Sequence, residues 1–161
     1  IMKKIIFLSS LAIILNSCSV EILIDGCTDP YAINYNPNAD NDDLSCQYEA
    51  DVVFYGDVSA ALYFNNLGID WLDVYVGNSY VATLSATTGF TYVPDCYPDT
   101  EPEAAHFTLE WGDTQETTFV WTVRDALGTI HASGNDVILA TECLPMEISI
   151  SLIKEYQEAT K

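Results

Sequence analysis

The chain has 161 residues, with 24 Asp or Glu against 5 Lys or Arg and a formal charge of −19. So acidic a surface repels phosphate backbones, and nucleic-acid binding is driven by counterion release at Lys and Arg, so a nucleic-acid role is excluded. An apolar fraction of 49% is that of a folded domain, and the length suits one ordinary domain with a short appendage.

Residues 1–17 read as an export signal. Lys3 and Lys4 precede an apolar run from Ile5 to Leu15, and Leu15-Asn16-Ser17-Cys18 closes the segment. About eleven residues of helix span roughly 16 Å, half of a ~30 Å hydrocarbon core, so this run does not make a transmembrane helix. Its end resembles the lipobox of bacterial lipoproteins, with Leu15 three residues before the cysteine and the small Ser17 just before it; Asn16 departs from the usual small apolar residue. The resemblance implies cleavage before Cys18, lipid attachment to that thiol, and anchoring at the outer membrane on its periplasmic or cell-surface face. Lys3 and Lys4 leave with the leader, so Arg124, Lys154 and Lys161 then stand alone against every acid in the chain.

If Cys18 carries lipid, four cysteines remain to pair. Of three connectivities, Cys27 with Cys46 and Cys96 with Cys143 is the local, non-crossing one, and it implies an oxidising compartment.

A short tether, residues 18–26, leads into a segment of different composition, residues 27–48, rich in Asn and Asp. There Asn34, Asn36, Asn38, Asp40 and Asp42 alternate strictly. In a wrapped extended loop that spacing aims successive oxygens inward, as the early positions of an EF-hand loop do for calcium. Hard oxygen donors without nearby His select Ca²⁺ over Zn²⁺. The expected ligand set is Asp29, Asn34, Asn36, Asn38, Asp40, Asp42 and Asp43, with Asp29 closing the site after the Pro30 turn. The alternative is a string of Asn/Asp turns, tied by a disulfide and binding nothing. The run Gly26-Cys27-Thr28-Asp29-Pro30, Asn34-Tyr35-Asn36-Pro37 and Asp42-Asp43-Leu44-Ser45-Cys46 resembles a Cys-bounded motif of Bacteroidota surface proteins and a shortened thrombospondin type 3 calcium repeat. Leu44 stands where that motif usually has Gly.

Residues 49–153 alternate apolar and polar side chains, the period of strands with one buried face. Val52 and Phe54; Leu72, Val74 and Val76; Phe107, Leu109 and Trp111; Phe119, Trp121 and Val123; and Ile148, Ile150 and Leu152 mark the inward positions. Turn chemistry falls at Gly77-Asn78, Gly112-Asp113, Asp125 to Gly128 and Gly134-Asn135-Asp136. About eight strands and no helical pattern predict an all-β antiparallel sandwich, with residues 154–161 as a frayed polar tail. This part also resembles the sandwich of small lipoproteins from the same bacteria, a likeness that assigns no activity.

Catalytic signals are poor. His131, Ser133 and Asp136 are close in sequence, but adjacency does not make a triad, and a solvated strand face is the expected setting for His131 and for His106. Asp95, Asp99, Glu101 and Glu103 crowd a Pro-rich loop expected to be solvated. Trp111 and Trp121 are expected to pack in the core. The resulting expectation is a non-enzymatic, calcium-stabilised envelope lipoprotein, an interaction or accessory subunit of an outer-membrane protein complex. The alternative is a carbohydrate-binding module for a surface glycan, which requires exposed rings among Trp71, Tyr97 and Trp111.

Overall fold

A computed structural model describes residues 22–97 and 100–161. The signal segment and Cys18 therefore lie outside the described residues. A two-stranded parallel ladder, β1 (Asp25–Gly26) with β2 (Asn41–Asp42), belongs to the Cys-bounded module. The sandwich follows: β3 (Gln47–Gly56), α1 (Val58–Leu67), β4 (Trp71–Val76), β5 (Ser79–Ser85), β6 (Ala105–Gly112), β7 (Glu116–Arg124), β8 (Ile130–Leu139), β9 (Cys143–Ile148) and α2 (Ile150–Ala159). One sheet has the order β6-β3-β9 and the other β5-β4-β7-β8. All sandwich pairings are antiparallel except β3 with β9.

The expected sandwich is present, and its core uses the inward positions predicted by the period of two. Ala50, Val52 and Phe54 of β3 face Leu72 and Val74 of β4 and Phe119, Trp121 and Val123 of β7, all buried. Phe54 sits at the centre, edge-on to Trp121 at 5.1 Å and stacked near Phe107 at 6.1 Å. Full burial of each such side chain stabilises the fold by about 1.5–3 kcal/mol.

β3 is apolar on its other face too. Val53 and Tyr55 pack with Phe90, Cys96 and Ala104 from the long connection between β5 and β6. The disulfide Cys96–Cys143 ties that connection to the start of β9.

Three local expectations are corrected. Two helices occur where none was expected. α1 starts at Asp57, whose side chain accepts from the Ala60 amide at 2.6 Å, and stops at Gly68 in the left-handed conformation. Leu62 and Leu67 remain exposed while Ala60, Ala61 and Phe64 are buried, so its apolar residues lie all round the helix and hide the 3.6 period.

Ile148, Ile150 and Leu152 mimic strand alternation, but β9 ends at Ile148 and Ser149 caps a helix by accepting from the Leu152 amide. Ile150, Ile153 and Gln157 then recur at helical spacing; Ile153 is fully buried and Gln157 bonds Tyr63 of α1 at 2.8 Å. The segment expected to fray is thus helical as far as Ala159, held by packing on β8 and α1.

Gly134-Asn135-Asp136 is not a turn but the middle of β8. Gly134 is there because the Trp121 indole lies flat over its Cα: an added Cβ would stand 2.6 Å from Trp121 Cζ2. Asp136 reaches the same indole, accepting from Nε1 at 2.6 Å. Gly134→Ala must displace this ring from the core, so urea unfolding is expected to show a loss of about 1–3 kcal/mol, the usual cost of overpacking. An unchanged midpoint would mean that Trp121 has room to move.

Candidate functional site

The Cys-bounded module is closed by Cys27–Cys46, the expected pairing. It begins earlier than the expected boundary: Ile24 donates to Asp40 Oδ2 and accepts from the Asp40 amide, and Asn41 bonds Asp25, so the end of the tether is built into the module.

Of the expected calcium donors, Asn34, Asn36, Asp40, Asp42 and Asp43 already accept hydrogen bonds from backbone amides of the module or its edge, Asp29 is held partly from outside it, and Asn38 contributes only its own amide as a donor. Asn36, Asp42 and Asp43 accept from the amides two residues ahead, at Asn38, Leu44 and Ser45, each at 3.0 Å. Asn34 bridges the Ser45 carbonyl and the Gln47 amide. The bonds of Asn36, Asp42 and Asp43 are Asx turns, which favour Asn and Asp at these positions, whereas Asn34 bridges distant backbone. Among the described residues no three His, Cys, Asp or Glu side chains converge in a metal-holding group. The turns use one oxygen of each carboxylate.

Asp29 faces away from Asp40, Asp42 and Asp43 in its bonding. Its Oδ1 accepts from the Tyr31 amide, and its Oδ2 accepts from the buried Tyr48 hydroxyl at 2.8 Å and from Gln115 at 2.7 Å. The Tyr31 amide, then Gln115 and Tyr48, hold this carboxyl below its ordinary range against a smaller opposing effect of desolvation. Burial and the same carboxylate push the Tyr48 phenol up to about 12. Asp29 therefore joins the module to β3 and to the β6–β7 turn.

The histidines are not the solvated side chains expected. An irregularity in the β7–β8 ladder, where Val123 pairs Ala132 but Arg124 pairs Ile130, turns His131 inward. His131 is buried, edge-on to Phe64 at 5.2 Å, and bonds Asp125 at 3.1 Å. Asp125 also accepts from the Leu127 and Thr129 amides. Desolvation raises the pKa of this carboxyl, but the bonds from His131 and the two amides outweigh it and leave the group below its ordinary value. Asp136 is held by Trp121, so His131, Ser133 and Asp136 do not form a relay. His106 bonds the Glu101 carbonyl through Nε2 under the β5–β6 connection, and its buried Nδ1 has no partner.

The most distinctive surface is the outer face of the four-stranded sheet. With Leu72 and Val74 inward, Trp71, Asp73 and Tyr75 point out; with Phe119, Trp121 and Val123 inward, Thr118, Val120, Thr122 and Arg124 do the same. Trp71 is 59% exposed, Tyr80 56% and Val120 55%. Arg124 stacks its guanidinium 4.2 Å over the Tyr75 ring and donates from Nε to Thr122. Thr83 donates to Asp73 at 2.6 Å and meets the Tyr80 hydroxyl at 3.0 Å.

At one end of this face, Trp71 borders a cleft of about 350 Å³ with Leu67, Asp70, Asp125 and Leu127. The module lies at the other end, against β3's first residues and Gln115. Of the three rings considered for sugar binding, Trp71 is exposed on this face. Tyr97 is exposed but borders the other sheet, and Trp111 is half-buried beside Tyr48 with its Nε1 bonded to Thr114. Nothing in the local sequence distinguished Arg124; its importance comes from cross-strand register, which sets it opposite Asp73 and beside Tyr75.

The module's final turn survives the departure from glycine. Leu44 takes φ 63°, the left-handed conformation, and its side chain is 80% exposed. A non-glycine residue there costs about 1–2 kcal/mol, while glycine adds about 0.4–1 kcal/mol of unfolded-state entropy. Leu44→Gly is therefore expected to stabilise by up to about 1 kcal/mol and to raise the melting temperature by roughly 2–4 °C for a domain of this size. A lowered melting point would mean that Leu44 makes a contact worth more than its strain. No protein-family model matches this chain, and neither a curated protein nor a solved structure matches it.

Proposed function

We propose that this chain is a non-enzymatic recognition protein of the cell envelope, lipid-anchored through Cys18 at the outer membrane, and that the outer face of the β5-β4-β7-β8 sheet is its docking surface. The observation that carries this reading is where the charge lies. Along β4 and β7 and from Ser133 to Leu139 on β8, the outward positions hold two acids, Asp73 and, at the module end, Glu116, in a chain with 24. The other sheet turns Glu49 and Asp51 to solvent and sets Glu49 directly opposite Glu110. Charge depletion together with exposed Trp, Tyr and Arg is the composition of binding surfaces. A tether entering at the module end leaves the Trp71 end of the face directed away from the anchor. A second reading, a tethered carbohydrate-binding module, is favoured by the exposed Trp71 ring.

Full chain expressed in a lipoprotein-processing host tests both parts. Cys18→Ala is expected to abolish lipid labelling and leave uncleaved precursor; normal processing would end the anchor claim. Binding of the purified chain to isolated outer-membrane fragments is expected to weaken about tenfold or more in Val120→Asp, which places a charge on the face without entering the core. Equal binding at unchanged melting temperature would reject the face.

Calcium belongs to this proposal through the second oxygens of Asp40, Asp42 and Asp43, which would have to be drawn together around the ion. At ten times its dissociation constant, calcium binding to the folded state alone adds about 1.4 kcal/mol. The melting temperature is expected to rise in millimolar Ca²⁺ and the rise to vanish in Asp40→Ala. No response in the unsubstituted chain would leave the module a disulfide-tied string of turns.

A further inference from the structure

We propose that the open sheet face binds a carboxylate-bearing sugar chain, with Arg124 gripping the carboxylate and Trp71 stacking on another ring of the same chain. This rests on the reading of that face as the docking surface and names its ligand. Arg124 is the only arginine in the chain. Its guanidinium is held flat on Tyr75 and its Nε is tied to Thr122, so the group is fixed in orientation before any ligand arrives.

Asp73 is its direct cross-strand partner, yet that carboxylate is engaged by Thr83. Among the described residues the one ion pair is His131 with Asp125, so the terminal nitrogens of Arg124 meet no carboxylate. A planar, immobilised guanidinium with free N–H groups at its outer edge matches a carboxylate bidentately. In a chain so rich in acids, a lone arginine whose terminal nitrogens meet no carboxylate is suited to an anionic group from outside. Asp73 across the strand opposes such an anion, while repulsion from more distant acids is screened beyond about 8 Å at physiological salt.

The surroundings favour sugar over peptide. Trp71 lies two strand positions beyond Asp73 and four from Tyr75, roughly 13 Å along β4 at about 3.3 Å per residue. The ring platform and the guanidinium are therefore spaced for units about two to three apart along one extended chain. Thr122 and Ser133 lie beside Arg124 with hydroxyl groups that can serve as both donors and acceptors, and Asn135 stands farther along the face opposite Val120. No exposed edge strand is needed for this mode of binding, as it would be for an added peptide strand.

The test uses the full chain in detergent and two probes, a polygalacturonate oligosaccharide and the same oligosaccharide with its carboxyl groups reduced to neutral hydroxymethyls. The unsubstituted chain is expected to bind the acidic probe at least roughly tenfold more tightly, the scale of one charge-assisted hydrogen-bond pair. Arg124→Gln is expected to remove that preference, Arg124→Lys to restore part of it, and Trp71→Ala to weaken both probes alike. All three should melt within a few degrees of the parent.

Equal affinity for the two probes, or a preference that survives Arg124→Gln, overturns the carboxylate assignment. Binding of neither probe, or of an acidic peptide in their place, overturns the sugar-chain assignment. In each case Val120→Asp in the membrane-fragment assay reports separately on whether the face is the docking surface.

Discussion

Strand β3 is buried on both faces from Val52 to Tyr55, and most of the architecture is a means of covering it twice. The four-stranded sheet covers one face, its Trp121 edge-on to Phe54, which also stacks near Phe107 of β6 in its own sheet. The other face has no second sheet. It is covered by the irregular connection that carries Phe90, Cys96 and Ala104, and such a long stretch without its own secondary structure does not usually stay in place unaided. Two backbone bonds, from the Phe90 amide to Gly56 and from the Ser85 amide to Glu103, fasten its beginning and end. The Cys96–Cys143 bridge fastens its middle. With a sequence separation of 47, that bridge removes unfolded-state entropy equivalent to about 4 kcal/mol in the chain-entropy model. Closure of the Cys96–Cys143 bond and the burial of β3 are therefore one requirement.

The same strand governs the module. β3 begins at Gln47, one residue after Cys46, so the Cys27–Cys46 loop has no flexible linker to the sandwich. The Asn34 carboxamide accepts from the Gln47 amide, Ile33 donates to the Gln47 carbonyl, and Asp29 reaches Tyr48 and Gln115. The chain entering at Ile24 is thus joined to the sandwich through the module without a flexible break.

Electrostatics divides the surface. Acids collect on the module, on the Pro-rich connection and on the outer side of the three-stranded sheet, where Glu49 and Glu110 face one another at some cost in repulsion. The four-stranded sheet has an outer face of Trp, Tyr, Thr, Val and a single Arg, with Asp73 and Glu116 as its acids. Such a division leaves one surface on which a partner can dock without displacing charge, and its chemistry is set by Arg124 resting on Tyr75.

The sequence by itself determined the all-β class, the inward positions of most core strands, the hairpin at Gly77-Asn78 and both disulfide pairings, because each rests on local periodicity, turn chemistry or the spacing of four cysteines. It misplaced features whose cause lies across space. Gly134 reads as a turn residue, and only the Trp121 ring above it explains a glycine within a strand. Ile150 and Leu152 alternate like a strand, and the helix is decided by the Ser149 cap and the burial of Ile153. The bonds that Tyr48 and Gln115 make to Asp29 likewise depend on residues brought together only by the fold. His131 reads as solvated until an irregular pairing turns it onto Phe64. The candidate site was the least legible part, since Trp71, Tyr75, Thr122 and Arg124 lie on two strands separated by more than forty residues, and only the β4–β7 register makes them neighbours.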